Sequence, residues 1–306
     1  MINKIKRHLK YVECYLKYKI FPNKYIPIQA SVIMKKNVVT HYNWGDDVNF
    51  VLVSYLSQKI PLIIPKSCLR RYFKIKNYLV IGSILTFFPL KDSIVWGSGI
   101  INQNEIDKIK DKPLSVKSVR GPKTRDALLN LGIECPPIYG DPALLFPLIY
   151  KAKKERKYHI GIIPHFIDEN NSYVKELLQN ESTHLIRVHD YTKWQEFIDE
   201  ICSCDIIISS SLHGIIIAEA YGIPVIWAKF GKYVDGWDFK FIDFYESINK
   251  RNIKALVVNE YLSVGNIEKI ADKWCPGIID VESIINSCPF ISSELRGELY
   301  EFNTKK

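Results

Sequence analysis

Residues 209–214, Ser209-Ser210-Ser211-Leu212-His213-Gly214, follow the apolar run Asp205-Ile206-Ile207-Ile208 and precede apolar residues with helical spacing. An imidazole therefore stands where a strand hands over to a helix. The serines bring hydroxyls, and the helix start brings free amides and a partial positive charge. An ordinary histidine titrates at about pH 6.5, so His213 can donate a proton near neutrality, and a bound anion would favour its charged form. Three roles are open to it: proton donor, anion ligand, or polar residue at a helix start.

Three other clusters fall at the ends of apolar runs. In His41-Tyr42-Asn43-Trp44-Gly45-Asp46-Asp47, either Asn43 or Asp46 could cap a helix, Gly45 permits close backbone approach, and the amides beyond could hold an anion or a sugar hydroxyl. Trp96-Gly97-Ser98-Gly99 imitates the start of a dinucleotide fingerprint. However, Asn102 holds the third glycine position, and no acidic residue ends a strand about 20 residues on. That loop reads instead as a place where a ligand nears the backbone. Ser118-Val119-Arg120-Gly121-Pro122-Lys123-Thr124 sets a planar guanidinium beside a helix start, suited to phosphate or carboxylate if it is not idle on the surface. Downstream, Gly140-Asp141-Pro142-Ala143 is a turn in which Asp141 could steady Arg120 or cap the turn.

These clusters need strands to carry them. Strands are expected at Val38–Thr40, Tyr78–Ile81, Ile94–Trp96 and Ser115–Val119, with helices at Asp47–Ser57 and Pro122–Leu131. A charged stretch, Leu148–Lys157, reads as a linker. Beyond it, strands Tyr158–Ile163, His184–Val188, Asp205–Ile208 and Pro224–Ala228 alternate with helices Ser172–Gln179, Lys193–Ile201 and Leu212–Ala220. Further helices are expected near Asn266–Trp274 and Val281–Ser287. The pattern is α/β, and two Rossmann-like domains facing a cleft account for it, with ligands at the carboxyl ends of the strands. The division follows as a basic amphipathic segment (1–30), an N-terminal Rossmann-like domain (31–150) and a C-terminal one with added helices (158–306). A chain of 306 residues is long enough for two cores, since single cores stop growing near about 250–300 residues.

A net charge of +9 invites a nucleic-acid reading, but the excess is clustered in residues 1–25 and 151–157 rather than along a groove-like motif. No nucleic acid is expected as a partner. In the first cluster Ile5, Leu9, Val12 and Leu16 repeat at helical spacing between lysines. Such a helix could lie on an anionic membrane surface or pack its apolar stripe onto the protein. The seven cysteines form no CxxC pair, and Cys202-Ser203-Cys204 is too tight for a tetrahedral zinc site alone. Free thiols in a reducing compartment are expected, with no metal site. There is no signal-peptide core and no run near the roughly 20 apolar residues that span a bilayer, so a cytoplasmic protein is expected, with peripheral contact at the inner face of the membrane as a candidate.

Taken in order, Asn43-Trp44-Gly45-Asp46-Asp47, Gly97-Ser98-Gly99, Ser118-Val119-Arg120-Gly121-Pro122, Asp141-Pro142-Ala143 and Ser210-Ser211-Leu212-His213-Gly214 resemble the polysaccharide pyruvyltransferases. The likeness is to the branch that puts ketal-linked pyruvate on bacterial exopolysaccharides, and it runs from about residue 37 to 230. The resemblance implies a fold like the two-domain GT-B glycosyltransferases. It also implies transfer of the enolpyruvyl unit of phosphoenolpyruvate, a co-substrate rather than a cofactor, to two hydroxyls of a sugar in a glycan or lipid-linked oligosaccharide. By the same resemblance His213 is the proton donor and Arg120 the anion holder. Asp46 or Asp47 would handle the sugar, and Asn43, Gly45, Gly97, Ser98, Gly99, Asp141, Ser210, Ser211, Leu212 and Gly214 would line the substrates. Many relatives carry an arginine where this chain has Ser211, which leaves a second anion clamp to Lys229, Lys232 or a basic residue near the linker.

A nucleotide-sugar glycosyltransferase of the same fold is the alternative, on the strength of Glu219-Ala220-Tyr221-Gly222-Ile223-Pro224, which resembles that class's acidic donor-binding helix. A binding protein that keeps the fold without the chemistry is a further one.

Overall fold

A computed structural model describes residues 2–35, 38–153, 155–231, 238–260 and 262–304. The first half begins with helix α1 (Ile2–Ile20), strand β1 (Tyr25–Gln29) and an antiparallel hairpin of β2 (Ile33–Lys35) and β3 (Val38–Thr40). It continues with α2 (Trp44–Asp47), α3 (Asn49–Ser57), β4 (Ile60–Ile63), β5 (Asn77–Leu79), β6 (Ser93–Trp96), β7 (Ser115–Ser118) and α4 (Pro122–Asn130). Its sheet is parallel, in the order β4-β1-β5-β6-β7. Two of those strands escape the sequence pattern, and both contain a proline, Pro27 and Pro61, which lowers strand propensity. Because β1 ends at Gln29, the sheet draws on residues before the boundary expected at residue 30. Val38–Thr40, in turn, belongs to the hairpin and not to the sheet.

The second half follows the expected rhythm. After α5 (Phe146–Ile149) come β8 (Tyr158–Ile163), α6 (Ser172–Leu177), β9 (Thr183–Leu185), α7 (Trp194–Cys202), β10 (Cys204–Ser209), α8 (Leu212–Ala220) and β11 (Val225–Lys229). Next are α9 (Asp238–Ser247), β12 (Leu256–Val257), α10 (Val264–Ala271), α11 (Val281–Asn286) and α12 (Ser293–Thr304). The second sheet, also parallel, has the order β12-β11-β10-β8-β9.

The protein is thus α/β with two parallel sheets, and its two halves share a core. One apolar cluster runs from Ile28, Leu52 and Trp96 of the first half through Trp44 and Phe146 to Phe197, Ile207 and Ile216 of the second. Trp44 is the bolt: its ring stacks on Phe197 at 4.8 Å and tilts against Phe146 at 5.4 Å. Its indole Nε1 donates to the Trp194 carbonyl at 2.8 Å, and its backbone N–H donates to the Val188 carbonyl. Burying an indole with its N–H satisfied is strongly favourable, so α2 is held against the second half. The C-terminal segment also crosses back. Trp96 Nε1 donates to the Ile284 carbonyl at 3.1 Å, and Phe290 packs edge-on against Tyr78 and Trp96. Residues 158–306 therefore do not close on themselves.

Helix α1 docks through Tyr11 and Cys14, both buried, with the Tyr11 hydroxyl donating to the Phe73 carbonyl at 2.7 Å. At 100° per residue that face lies opposite Ile5, Leu9 and Leu16, which are 52%, 65% and 49% exposed. The apolar stripe is therefore not what attaches the helix to the protein. Among the described residues no helix is long and apolar enough to cross a membrane.

Candidate active site

His213 lies in the first turn of α8, at the carboxyl end of β10, and is 9% exposed. One side of its ring rests on Gly45: a Cβ at that position would lie 1.8 Å from His213 Nδ1. Glycine is thus needed at 45 because the α2 turn backs directly onto the imidazole, not to admit a ligand. On the other side, Nε2 stands 4.0 Å from Asp141 Oδ2. Both atoms are buried, and neither has a hydrogen-bond partner among the described residues. The other Asp141 oxygen, Oδ1, accepts the Ala143 N–H at 3.0 Å, so the carboxyl is fixed by the turn while Oδ2 faces the histidine. Two buried polar atoms aimed at one spot without pairing are costly and mark a place for chemistry.

Arg120 is placed differently from the expectation. It is 0% exposed, and its guanidinium is held within the protein. Nε and Nη2 contact Asp243 Oδ2 at 3.0 and 2.9 Å, Nη1 donates to Ser83 Oγ at 2.5 Å, and Nη2 donates to the Ile100 carbonyl at 2.7 Å. Asp243 also takes the start of α4, accepting from the Thr124 N–H at 2.9 Å and from the Thr124 hydroxyl at 2.7 Å. The pairing of arginine with a helix start does bind an anion, but that anion is a carboxylate of the same chain, supplied by α9. Asp141 is accordingly not what steadies Arg120.

The two neighbouring acids of α2 part company. Asp47 Oδ2 accepts from the Tyr191 hydroxyl at 2.5 Å and the Tyr42 N–H at 3.2 Å, which makes Asp47 a fastening between the halves. Asp46 turns toward Gly82, and its backbone carbonyl accepts from Asn49 Nδ2, which also grips the Ile81 carbonyl. Burial and the adjoining Asp47 push its carboxyl up to about 7, against the pull of the Lys240 ammonium. Lys240, on α9 and 7% exposed, is driven down to about 7 by burial and Arg120. His213 is lowered to about 3 by burial, Lys240 and Arg120, and His165, just past β8, to about 4 by burial and Lys240. Burial raises Asp141 to about 6. Asp46 and His165 are half-buried.

Several expected contacts are with protein. Asn43 caps α2 by accepting the Gly45 N–H at 3.1 Å. Gly97, at φ +83°, lies against Pro142, while Gly99 lies against the Arg120 guanidinium, and the Ser98 hydroxyl donates to the Val80 carbonyl. That loop is closed by the fold. Ser210 donates to Asp168 at 2.9 Å and accepts the His165 N–H at 2.8 Å, which fixes the loop bearing His165. Leu212 is core, Gly214 lets α8 close on Ser209 and Ile163, and Ser211 is the α8 N-cap residue but makes no side-chain cap. Of the proposed second clamps, Lys229 is paired with Asp238 at 2.6 Å, and the linker's Arg156 and Lys157 sit near Asp205 and Glu155. Lys232 lies outside the described residues.

The group is held at a cost to stability near neutral pH. Asp141 and Asp46 titrate above their ordinary values, so their contribution to stability is full below the usual carboxylate range and is lost as pH rises through about 6 and 7. Lys240 titrates below its ordinary value, so its contribution is full above pH 10.5 and is lost as pH falls through about 7.

A family model described as polysaccharide pyruvyl transferase matches residues 23–228, from just before β1 to the end of β11, well over half of the chain. The chain belongs to the polysaccharide pyruvyl transferase family. The match starts earlier than the likeness read from sequence, which runs from about residue 37, and so takes in β1. A pyruvyl transferase family implies a transferase and a polysaccharide acceptor. An uncharacterised protein of Acanthamoeba polyphaga mimivirus is 29% identical over 224 residues, covering 69% of this chain and 74% of that one. Among solved structures, a functionally uncharacterised protein from Klebsiella pneumoniae subsp. pneumoniae aligns with a TM-score of 0.45 and 16% identity, over 81% of this chain and 98% of that one. In this member of the polysaccharide pyruvyl transferase family, Lys240, His165, Asp243 and Ser83 were not singled out from sequence. His165 follows the strand Tyr158–Ile163 and was within reach of the strand-end rule that found His213. Lys240 and Asp243 lie on α9, well past the end of β11, so the strand-end rule does not reach them.

Proposed function

We propose that this protein transfers the enolpyruvyl unit of phosphoenolpyruvate to two hydroxyls of one sugar in a surface polysaccharide or its lipid-linked repeat unit, forming a pyruvate ketal and releasing phosphate. The observation that carries this reading is the buried His213 Nε2, without a hydrogen-bond partner among the described residues, facing Asp141 Oδ2 across 4.0 Å. A donor bearing a phosphate and a carboxylate brings negative charge against His213 and raises its pKa from the low resting value, so the imidazole is protonated when the donor is bound. Asp141 stabilises that imidazolium from the other side. His213 then gives its proton to the methylene carbon while a sugar hydroxyl bonds to the adjacent carbon, and Asp46, poised near neutrality, takes the hydroxyl's proton. Phosphate departs with its bonding pair, and the second hydroxyl attacks the same carbon and releases its proton to the departing phosphate. We place the two sheets in a GT-B-like arrangement about this group.

The glycosyltransferase alternative loses its supporting feature. Glu219 is buried at the far end of α8, paired with Lys250 and accepting from Trp274 Nε1 at 3.1 Å and the Gly277 N–H at 3.2 Å. It is an anchor for the C-terminal segment. The discriminating experiment supplies phosphoenolpyruvate or nucleotide sugars with a panel of lipid-linked and free oligosaccharides. The expected result is phosphate release with a new ketal methyl signal by NMR, from phosphoenolpyruvate only. Turnover of a nucleotide sugar with neither signal would overturn the reading.

The outward stripe of α1, Ile5, Leu9 and Leu16, is flanked by Lys6 and Lys19 and lies opposite the docked face, which supports contact with an anionic lipid surface at the cytoplasmic leaflet. Cosedimentation with vesicles containing anionic lipid should fall at least tenfold in the Ile5→Glu, Leu9→Glu, Leu16→Glu variant. Unchanged partitioning would dismiss the membrane role.

A further inference from the structure

We infer that Cys68 and His8 form a thiol-modification site that takes up a low-molecular-weight disulfide, with His8 as the base and Ser67 as the residue that positions it. The site shares no residue with the group around His213 and does not depend on the proposed reaction. Of the seven cysteines, only Cys68 and Cys275 are exposed. Burial pushes the thiols of Cys14 and Cys135 up to about 11 and those of Cys204 and Cys288 up to about 12, so these stay protonated near neutral pH. Exposure alone does not make a nucleophile, because the thiolate is the reacting form and a thiol needs a base at hand to reach it.

Cys68 has that base. It opens the single 3-10 turn Cys68–Arg71, and its Sγ stands 3.7 Å from His8 Nε2. The other ring nitrogen, Nδ1, is 2.8 Å from Ser67 Oγ, an oxygen fixed in turn because it accepts the Leu69 N–H at 3.1 Å. That oxygen keeps a second lone pair for an Nδ1–H, which leaves Nε2 to accept the thiol proton. A nucleophile, its base and a group that orients the base are thus assembled. Helix α1 sets their register. The Tyr11 hydroxyl donates to the Phe73 carbonyl at 2.7 Å and the Tyr15 ring packs on Phe73 at 5.0 Å, and His8 lies on the same face, about one and two turns before these anchors. In the exchange Cys68 gives its proton to His8 Nε2, and the thiolate attacks one sulfur of the disulfide. The new S–S bond forms as the old one breaks, and the departing thiolate takes the proton from His8. Cys68 is oxidised to a mixed disulfide, and half of the small disulfide is reduced to free thiol.

The test incubates the full chain near neutral pH with glutathione disulfide, which is anionic, and separately with cystamine, which is cationic, and times the adducts at Cys68 and Cys275 by peptide mass spectrometry. Cys68 should react at least about 10-fold faster than Cys275 with both probes, the scale set by a larger thiolate fraction. His8→Gln and His8→Ala should each slow Cys68 to the pace of Cys275 and leave Cys275 unchanged. Ser67→Ala should slow Cys68, and Ser67→Thr should restore it; no change in Ser67→Ala would remove Ser67 from the site. Equal rates at the two cysteines in wild type, or a fast Cys68 that persists in His8→Gln, would overturn the inference. Acceleration confined to the anionic probe would overturn it too, assigning the rate to Arg70 and Arg71 of the same turn. The wild-type comparison decides even where a His8 variant loosens α1, a case that a thermal melt of each variant identifies.

Discussion

Replacing His213 with glutamine should lower turnover by about 10²–10⁴-fold, the span lost with a general acid, while phosphoenolpyruvate affinity and melting temperature change little. The separation follows from the resting state of the residue. Burial, Lys240 and Arg120 keep the imidazole neutral, so glutamine removes no charge that the fold relies on. Nε2 has no partner to lose, and a neutral amide of similar reach can lie against Gly45. What glutamine cannot do is carry a proton to carbon. Steady-state kinetics, calorimetry with phosphoenolpyruvate and a thermal melt on the same preparation check the three parts. Turnover near the wild-type rate would remove His213 from the chemistry, and a collapse of stability would make it structural.

Arg120→Ala should destabilise the protein by about 3–5 kcal/mol, the cost of breaking a buried ion pair by deleting one partner. The deletion leaves Asp243 at 0% exposure with only Thr124 to satisfy it, and it opens a void beside Gly99. Asp243→Ala should cost a comparable amount and, in addition, uncap α4. Urea denaturation gives the measurement, and an unchanged midpoint for Arg120→Ala would refute the structural role. From sequence alone the arginine reads as a substrate clamp whose loss weakens donor binding. In the fold its loss acts first on the junction of α4 and α9, so any binding defect must be read on the folded fraction.

Between residues 158 and 229 the helices and strands are legible because each is bounded by a turn signal and carries a clean apolar run: Tyr158–Ile163 and Leu212–Ala220 appear with the bounds expected, whereas α9, β12 and α12 were not expected. β1 and β4 are not, because a proline interrupts each. Gly45 and Asp141 both meet His213, although the three span residues 45–213, because the α2 turn and the turn at Asp141 back onto the start of α8. Their roles were not all readable. Gly45 looked like room for a ligand and is room for an imidazole, and of Asp46 and Asp47 only the first turns to the site.

The sequence by itself determined the α/β class, the strand-end histidine and the family, since these depend on local spacing and on motif order along the chain. Which anion Arg120 holds and which carboxylate faces His213 were decided only by tertiary structure. The reason is physical: α9 begins well past the end of β11, beyond the reach of the strand-end rule, yet it sets Asp243 onto Arg120. A pairing across 123 residues has no signature in local spacing, and burial, which shifts both His213 and Asp141, exists only once the two halves have closed on a common core.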